Sequence, residues 1–106
     1  VGIRRSLVER HPWLPVNTTL AYLKAKEICY RQLETIGHLF TTLPWPVEEL
    51  TRARALMGED FWSYGVAANR RELAAVTRYA CEQGITARPL AIEELFAPST
   101  LSLSKV

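Results

Sequence analysis

The chain is short of the residues that most often mark a metal or catalytic site. Its 106 residues include two cysteines and two histidines, and none of these stands at metal-ligand spacing from another. We therefore predict neither a zinc site nor a disulfide scaffold, and we expect no metal and no cofactor. No apolar run approaches the ~18 residues of a membrane span, so we also predict no membrane-spanning helix.

An excess of charge of one sign is also lacking. The 13 basic and 11 acidic residues alternate along the chain and leave a net charge of +2. Because a nucleic-acid-binding domain usually carries a strongly basic patch, we predict no nucleic-acid partner. The hydrophobic fraction of 48% and the charged fraction of 23% are typical of one folded globular unit.

Catalytic motifs are missing as well. The chain has no serine-centred nucleophile elbow and no glycine-rich phosphate loop. His11 and His38 stand alone, which is typical of surface or capping groups. Cys29 and Cys81 fall inside helical patterns, where we interpret them as small buried side chains, with a lean toward a reducing compartment. The pattern alone identifies no catalytic residue.

Helical periodicity runs through most of the chain, and no alternating strand pattern occurs. Including their caps, the predicted helices cover residues 7–11, 15–37, 46–58, 69–84 and 92–96. Pro46 fits the first turn of its helix, and Gly37, Gly58 and Gly84 are the predicted stops. We expect the tail at 99–106 to be flexible. The sequence therefore predicts one all-α unit over residues 1–106.

Apolar residues at three- and four-residue steps predict the buried side of each long helix. The predicted stripes are Tyr22, Ala25, Cys29, Leu33, Ile36 and Phe40 in the first helix, Val47, Leu50, Ala53 and Met57 in the second, and Leu73, Val76 and Ala80 in the third. Lys24 and Lys26 fall on the remaining faces of the first helix. Asn69, with Glu72 three residues later, matches a capping box.

The connector at residues 58–65, which we call the aromatic loop, holds three aromatic and two acidic side chains. Surface loops rarely need such large rings, so we predict that it presses against a core or a ligand. Core packing is the common use of Trp62 and Tyr64, and the alternative is that they wall an aromatic or carboxylate ligand. Asp60 has apolar neighbours and needs a hydrogen-bond donor.

A basic pair, Arg70 and Arg71, opens the third long helix, where the helix dipole disfavours cations. Such a pair can serve an anion that the backbone N–H groups also attract, although arginines on a solvated helix face are common. Our candidate ligand-binding residues are therefore Asp60, Trp62, Tyr64 and Arg70.

The apolar stripes and the aromatic loop carry more apolar surface than three helices comfortably cover. The chain also begins at Val1 without a methionine, as if it were cut from a longer protein. We therefore expect it to pack on missing chain or to self-associate.

One resemblance adds to these patterns. The matching segments are Ile3-Arg4-Arg5, Glu9-Arg10-His11-Pro12-Trp13, Leu43-Pro44-Trp45, residues 52–62, Tyr64-Gly65, Asn69-Arg70, Arg78-Tyr79-Ala80, Glu82-Gln83-Gly84 and residues 93–98. Together they resemble the C-terminal part of the 4,5-dihydroxyphthalate decarboxylase-like family and span nearly the whole chain. Family members tend to have proline where Ser63 stands and a capping residue or proline where Ala91 stands, and both departures concern local stability.

The resemblance implies a larger α/β fold like that of type II periplasmic solute-binding proteins, with a ligand cleft between two lobes. It implies that the whole protein either decarboxylates 4,5-dihydroxyphthalate to a dihydroxybenzoate, without a cofactor, or binds a small aromatic acid for a transporter. The first alternative favours a cytoplasmic protein and the second a periplasmic one. It does not identify which residues of this chain, if any, are catalytic.

Overall fold

The computed structural model describes residues 1–35 and 45–103. Its helices are α1 (Arg5–Arg10), α2 (Leu14–Glu34), α3 (Pro46–Met57), α4 (Arg70–Glu82) and α5 (Ile92–Leu95), followed by a 3₁₀ turn at Pro98–Thr100. These two described segments contain no strand, which confirms the predicted all-α class. The calls at Ile36, Gly37, His38 and Phe40 lie outside the described residues. None of the described helices has the length and hydropathy that crossing a bilayer requires.

The helix ends that depend on proline or glycine follow the prediction. Pro15 and Pro46 occupy the first turns of α2 and α3, where a missing N–H removes no helical hydrogen bond. Gly58 ends α3 with φ of 89°, and its N–H donates to the Arg54 carbonyl at 2.8 Å. Gly84 follows α4 with φ of 71°, and the Ile85 N–H then reaches back to the Ala80 carbonyl at 2.9 Å.

The predicted capping box at the start of α4 is wrong. Asn69 precedes the helix, but its side chain makes no hydrogen bond to the first-turn amides. Those side-chain atoms bind the aromatic loop instead, as described below. A capped helix does form at α5, where the Glu94 carboxylate accepts a hydrogen bond of 2.9 Å from the Ala91 N–H. This contact is the half of a capping box that the third helical residue supplies, and Ala91 has no side-chain acceptor for the first-turn amides.

The predicted buried stripe of α2 is also wrong. Tyr22 and Cys29 are exposed, whereas Lys26 and Tyr30 turn toward the aromatic loop. The cause is that α2 has apolar groups on more than one side, so periodicity alone cannot tell which side this part of the protein covers. On α3 and α4 the predicted stripes are only partly covered: Val47, Met57 and Val76 are exposed.

The core is small. Among the hydrophobic side chains of the described residues, Val66 and Ile92 are buried, at 3% and 8% exposure, and Pro15 is buried as well. A compact protein of this size exposes about 6,000 Å², whereas this chain exposes 8375 Å². Its radius of gyration of 17.2 Å likewise exceeds the about 13 Å of a compact chain of this length. The helices are therefore arranged around one another without closing a full core.

The last described residues pack on the long helix. The 3₁₀ turn at Pro98–Thr100 contacts α2, and Thr100, Leu101 and Leu103 are partly covered. The predicted tail begins at residue 99, and its final residues, 104–106, lie outside the described part of the chain. The 3₁₀ turn helps to form one side of the cleft described next.

Candidate functional site

The aromatic loop is tied to α2 by one lysine. Lys26 lies in the middle of α2, and its Nζ donates to Asp60 Oδ1 at 2.5 Å and to the Trp62 carbonyl at 2.8 Å. The side chains of Lys26 and Asp60 are only 10% and 22% exposed. A partly buried ammonium requires such partners because burial removes its hydration. Lys26 is therefore the donor that Asp60 was predicted to need.

Two tyrosines complete the surroundings of this ammonium. The Lys26 Nζ lies 4.9 Å from the ring centroid of Tyr64 and 5.5 Å from that of Tyr30, within the range of a cation–π interaction. Tyr30 also accepts a hydrogen bond of 3.1 Å from the Trp62 N–H and stacks on Phe61 with centroids 5.0 Å apart. Lys26 and Tyr30, one turn apart on α2, thus contact loop residues 60, 61, 62 and 64.

The other side of the loop is held by Asn69. The Asn69 Nδ2 donates to the carbonyls of Ser63 and Gly65 at 3.0 and 2.9 Å. The Ser63 hydroxyl donates to Asn69 Oδ1 at 2.9 Å. Both the oxygen and the nitrogen of the Asn69 side-chain amide are therefore hydrogen-bonded to residues no more than six positions away. This brace explains why the predicted cap of α4 does not form.

The start of the loop is anchored by Arg54. Its guanidinium hydrogen-bonds Glu34 at the end of α2, and this bond raises the pKa of Arg54 above its ordinary value. Its Nε lies 3.3 Å from Glu59 Oε2 but is not directed for a hydrogen bond, so that contact is an electrostatic one. The ends of α2 and α3 and the first acid of the loop thereby meet at one cation.

A cleft of about 990 Å³ opens beside the loop. Its walls come from the first residues of the chain, α1, α2, the second half of the loop and residues 93–103, and they include Ile3, Val8, Thr19, Tyr64, Val66 and Phe96. A cleft of this volume can hold a small organic ligand. Tyr64 belongs both to this wall and to the surroundings of Lys26.

The structure separates the four candidate ligand-binding residues. Tyr64 lines the cleft, and Asp60 pairs with Lys26. The Trp62 side chain is 67% exposed, so it fills no core within the described residues. Arg70 donates to Glu93 at 2.8 Å, and this hydrogen bond lowers the pKa of Glu93. Trp62 meets the Lys26 ammonium through its backbone carbonyl, whereas Asp60 and Tyr64 meet it through their side chains.

Comparison with known proteins adds a relative to this geometry. The chain is 36% identical over all of its 106 residues to a 4,5-dihydroxyphthalate decarboxylase from Comamonas testosteroni. The chain is homologous to part of that decarboxylase. It covers 32% of the length of this curated relative, which is consistent with the predicted C-terminal portion of a longer protein. The chain matches no protein-family model.

The sequence analysis did not predict that Lys26 and Tyr30 hold the aromatic loop. Their contacts with the loop span 34, 36 and 32 residues, so no local pattern reveals them. One weak signal existed, because a lysine and a tyrosine four residues apart share one face of a helix. Asp60, already recognised as an acid in need of a donor, was the other half of that signal.

Metal-binding groups and a disulfide are not part of the site. The described residues contain no cluster of three or more side chains that could hold a metal ion. Cys29 and Cys81 are both free thiols. The prediction that both are buried is wrong for Cys29, which lies on the exposed side of α2. The groups described around the loop and the cleft are mainly aromatic rings, carboxylates and cations.

Proposed function

We propose that this chain is a helical portion of an aromatic-acid decarboxylase that acts on 4,5-dihydroxyphthalate or a close analogue. The 36% identity over the full 106 residues carries the proposal, because it relates every part of the chain to an enzyme of that name. The chain spans about a third of that relative's length. The activity is therefore proposed for the longer protein, and not for this portion alone.

The reaction sets clear chemical demands. The bond between the ring and one carboxylate breaks, CO₂ leaves, and a proton takes its place on the ring carbon. A ring hydroxyl para to the departing carboxylate supplies electron density toward that protonation. The site must supply a positioned acid, cations that hold the carboxylates, and a surface that excludes water.

Two candidate residues can meet part of these demands in the proposal. The Tyr64 ring forms an amphipathic wall of the cleft, with an apolar face for an aromatic ligand and a hydroxyl for a polar one. Arg70 is mostly exposed and pairs with an exposed carboxylate, so it can exchange that partner for a substrate carboxylate. Asp60 supports the loop through Lys26, and Trp62 presents its ring to the surroundings.

The decisive experiment uses the longest natural protein that contains this chain. We expect incubation with 4,5-dihydroxyphthalate to release CO₂ and a dihydroxybenzoate in equal amounts. Arg70→Gln should weaken substrate binding, whereas Arg78→Gln is a matched control on the exposed side of α4. Tight binding of the diacid without CO₂ release would refute the decarboxylase proposal and favour the alternative, a transporter's substrate-binding component.

A further inference from the structure

We infer that Lys26 is a positioning residue, which sets the Tyr64 ring in the wall of the cleft and thereby controls ligand affinity. The inference rests on the proposed function for the identity of the ligand. Nothing in the relative's name assigns a role to this lysine, and the sequence pattern placed it on a solvated face. In the structure, its ammonium instead contacts three residues of the aromatic loop, Asp60, Trp62 and Tyr64.

The first step of the argument is the unusual environment of this side chain. Lysine is normally exposed, and it is seldom buried unless its ammonium is paired. Lys24, two positions before Lys26 on the same helix, shows the ordinary case. Its side chain is 61% exposed, and its ammonium pairs with Glu27 of α2 at 2.8 Å. The Lys26 side chain is 10% exposed, and its hydrogen-bond partners lie outside the helix.

The second step is the direction of the contacts. Lys26 binds the carboxylate of residue 60, the carbonyl of residue 62 and the ring face of residue 64. Residues 59–62 form a turn and a bend, which bring a carboxylate, a backbone carbonyl and a ring face to one cation, so this cation can fix that part of the loop as a unit. The third of these residues, Tyr64, lines the cleft.

The third step is that the far side of the loop is fixed independently. Asn69 binds Ser63 and Gly65, the neighbours of Tyr64, through their backbone carbonyls. Loss of the ammonium therefore leaves the backbone near Tyr64 braced, while the ring loses the charge that holds its face. The expected consequence is a displaced ring on an otherwise folded protein.

The test compares Lys26→Met with Lys24→Met in the full-length protein. Lys26→Met should raise KM for 4,5-dihydroxyphthalate by about tenfold or more, since small displacements of a positioning group are costly. The value of kcat should change less, because this residue does not touch the reacting atoms. Lys24→Met should leave both constants within about twofold of the original values, as expected of a solvated helical pair. Lys26→Arg should recover part of the loss, since arginine keeps the charge and can also lie on a ring.

A double-mutant cycle separates positioning from a general loss of stability. If Lys26 acts through Tyr64, then Lys26→Met should add little to the KM of the Tyr64→Leu variant. Independent effects that multiply in the double variant would overturn the inference. So would a Lys26→Met protein whose KM matches the original. Tyr64→Leu is itself a second variant that tests the cleft wall should Lys26→Met fail to fold.

A spectroscopic readout keeps the inference separate from the proposed function. Fluorotyrosine incorporated into the protein gives ¹⁹F resonances that Tyr64→Phe and Tyr30→Phe assign. Lys26→Met should shift the Tyr64 resonance and Lys24→Met should not. A protein with neither turnover nor binding of the diacid, but with this shift, would refute the decarboxylase proposal alone. An unmoved Tyr64 resonance would refute the positioning role whatever the reaction is.

Discussion

Asn69 offers a substitution in which two physical interpretations predict opposite results. An asparagine before a helix is usually a cap, and aspartate caps a helix equally well. In this structure the Asn69 side chain makes no capping hydrogen bond. Its Nδ2 donates instead to the carbonyls of Ser63 and Gly65. Aspartate has no donor when ionised, so Asn69→Asp separates a cap from a brace.

The magnitude follows from the contacts. Each of the two lost hydrogen bonds contributes about 1 kcal/mol, and the new carboxylate also faces two carbonyl oxygens. Its favourable interaction with the start of α4 returns about 0.5 kcal/mol. We therefore expect Asn69→Asp to lower the free energy of opening the loop by about 1.5 kcal/mol. This corresponds to about tenfold faster exchange at the protected sites.

Hydrogen exchange at the Trp62 amide is the suitable assay, because that N–H is bonded to the Tyr30 hydroxyl within the loop. The matched control is Asn17→Asp, which places the same charge on an exposed residue in the first turn of α2. The control should leave the exchange rate at Trp62 unchanged. If Asn69→Asp leaves that rate unchanged or slows it, the residue is a cap and the brace is refuted.

Three further predictions concern the backbone, pH and the exposed surface. Gly58→Ala should cost about 1 kcal/mol or more of stability in urea unfolding, because φ is 89° there; Gly2→Ala, at an open site, should cost nothing measurable. Hydrogen bonds from Arg88 and the Ala91 N–H lower the pKa of Glu94 to about 2. Stability from this contact is therefore present above the unfolded value of about 4.3 and is lost as pH falls toward 2. The protection factor of the Ala91 amide, which compares its exchange rate with that of an unstructured peptide at the same pH, should therefore fall there, and Glu94→Gln should abolish that pH dependence. The chain expressed by itself should self-associate and bind a hydrophobic dye, and a clean monomer with cooperative unfolding in light-scattering and thermal measurements would contradict this.

What the sequence predicted well was local. Pro46, Gly58 and Gly84 determine where helices begin and end through the backbone of the same few residues, so one segment contains the whole cause. The described part of α2 ends at Glu34, with Thr35 after it, and the predicted stop at Gly37 lies outside the described residues. Helix ends without such residues depend on contacts elsewhere in the fold, and these cannot be derived from one segment.

What the sequence predicted poorly was which face of a helix is covered. Lys26 was assigned to solvent because lysine is usually exposed, yet its partner Asp60 is 34 residues away. Asn69 was assigned to a cap because the same amide that braces a loop can also cap a helix. In both cases the residue type was informative, but the partner was not identifiable without the fold. The ligand-binding role of the loop therefore stays a prediction, and the α2 residues that hold the loop, Lys26 and Tyr30, were missed.

The exposed surface links these errors to one physical cause. The chain exposes 8375 Å², about 2,400 Å² more than a compact protein of its size. An ordinary protein–protein interface covers about 800 Å² on each partner, so the excess is about three such interfaces. Tyr22, Val47 and Val76, which the sequence predicts as buried, contribute to this exposed surface. Their apolar character is explained if these faces pack on further protein, and this supports the prediction that the helices work as part of a larger body. Burial patterns in the sequence then describe that larger body, and the contacts within this portion satisfy only some of them.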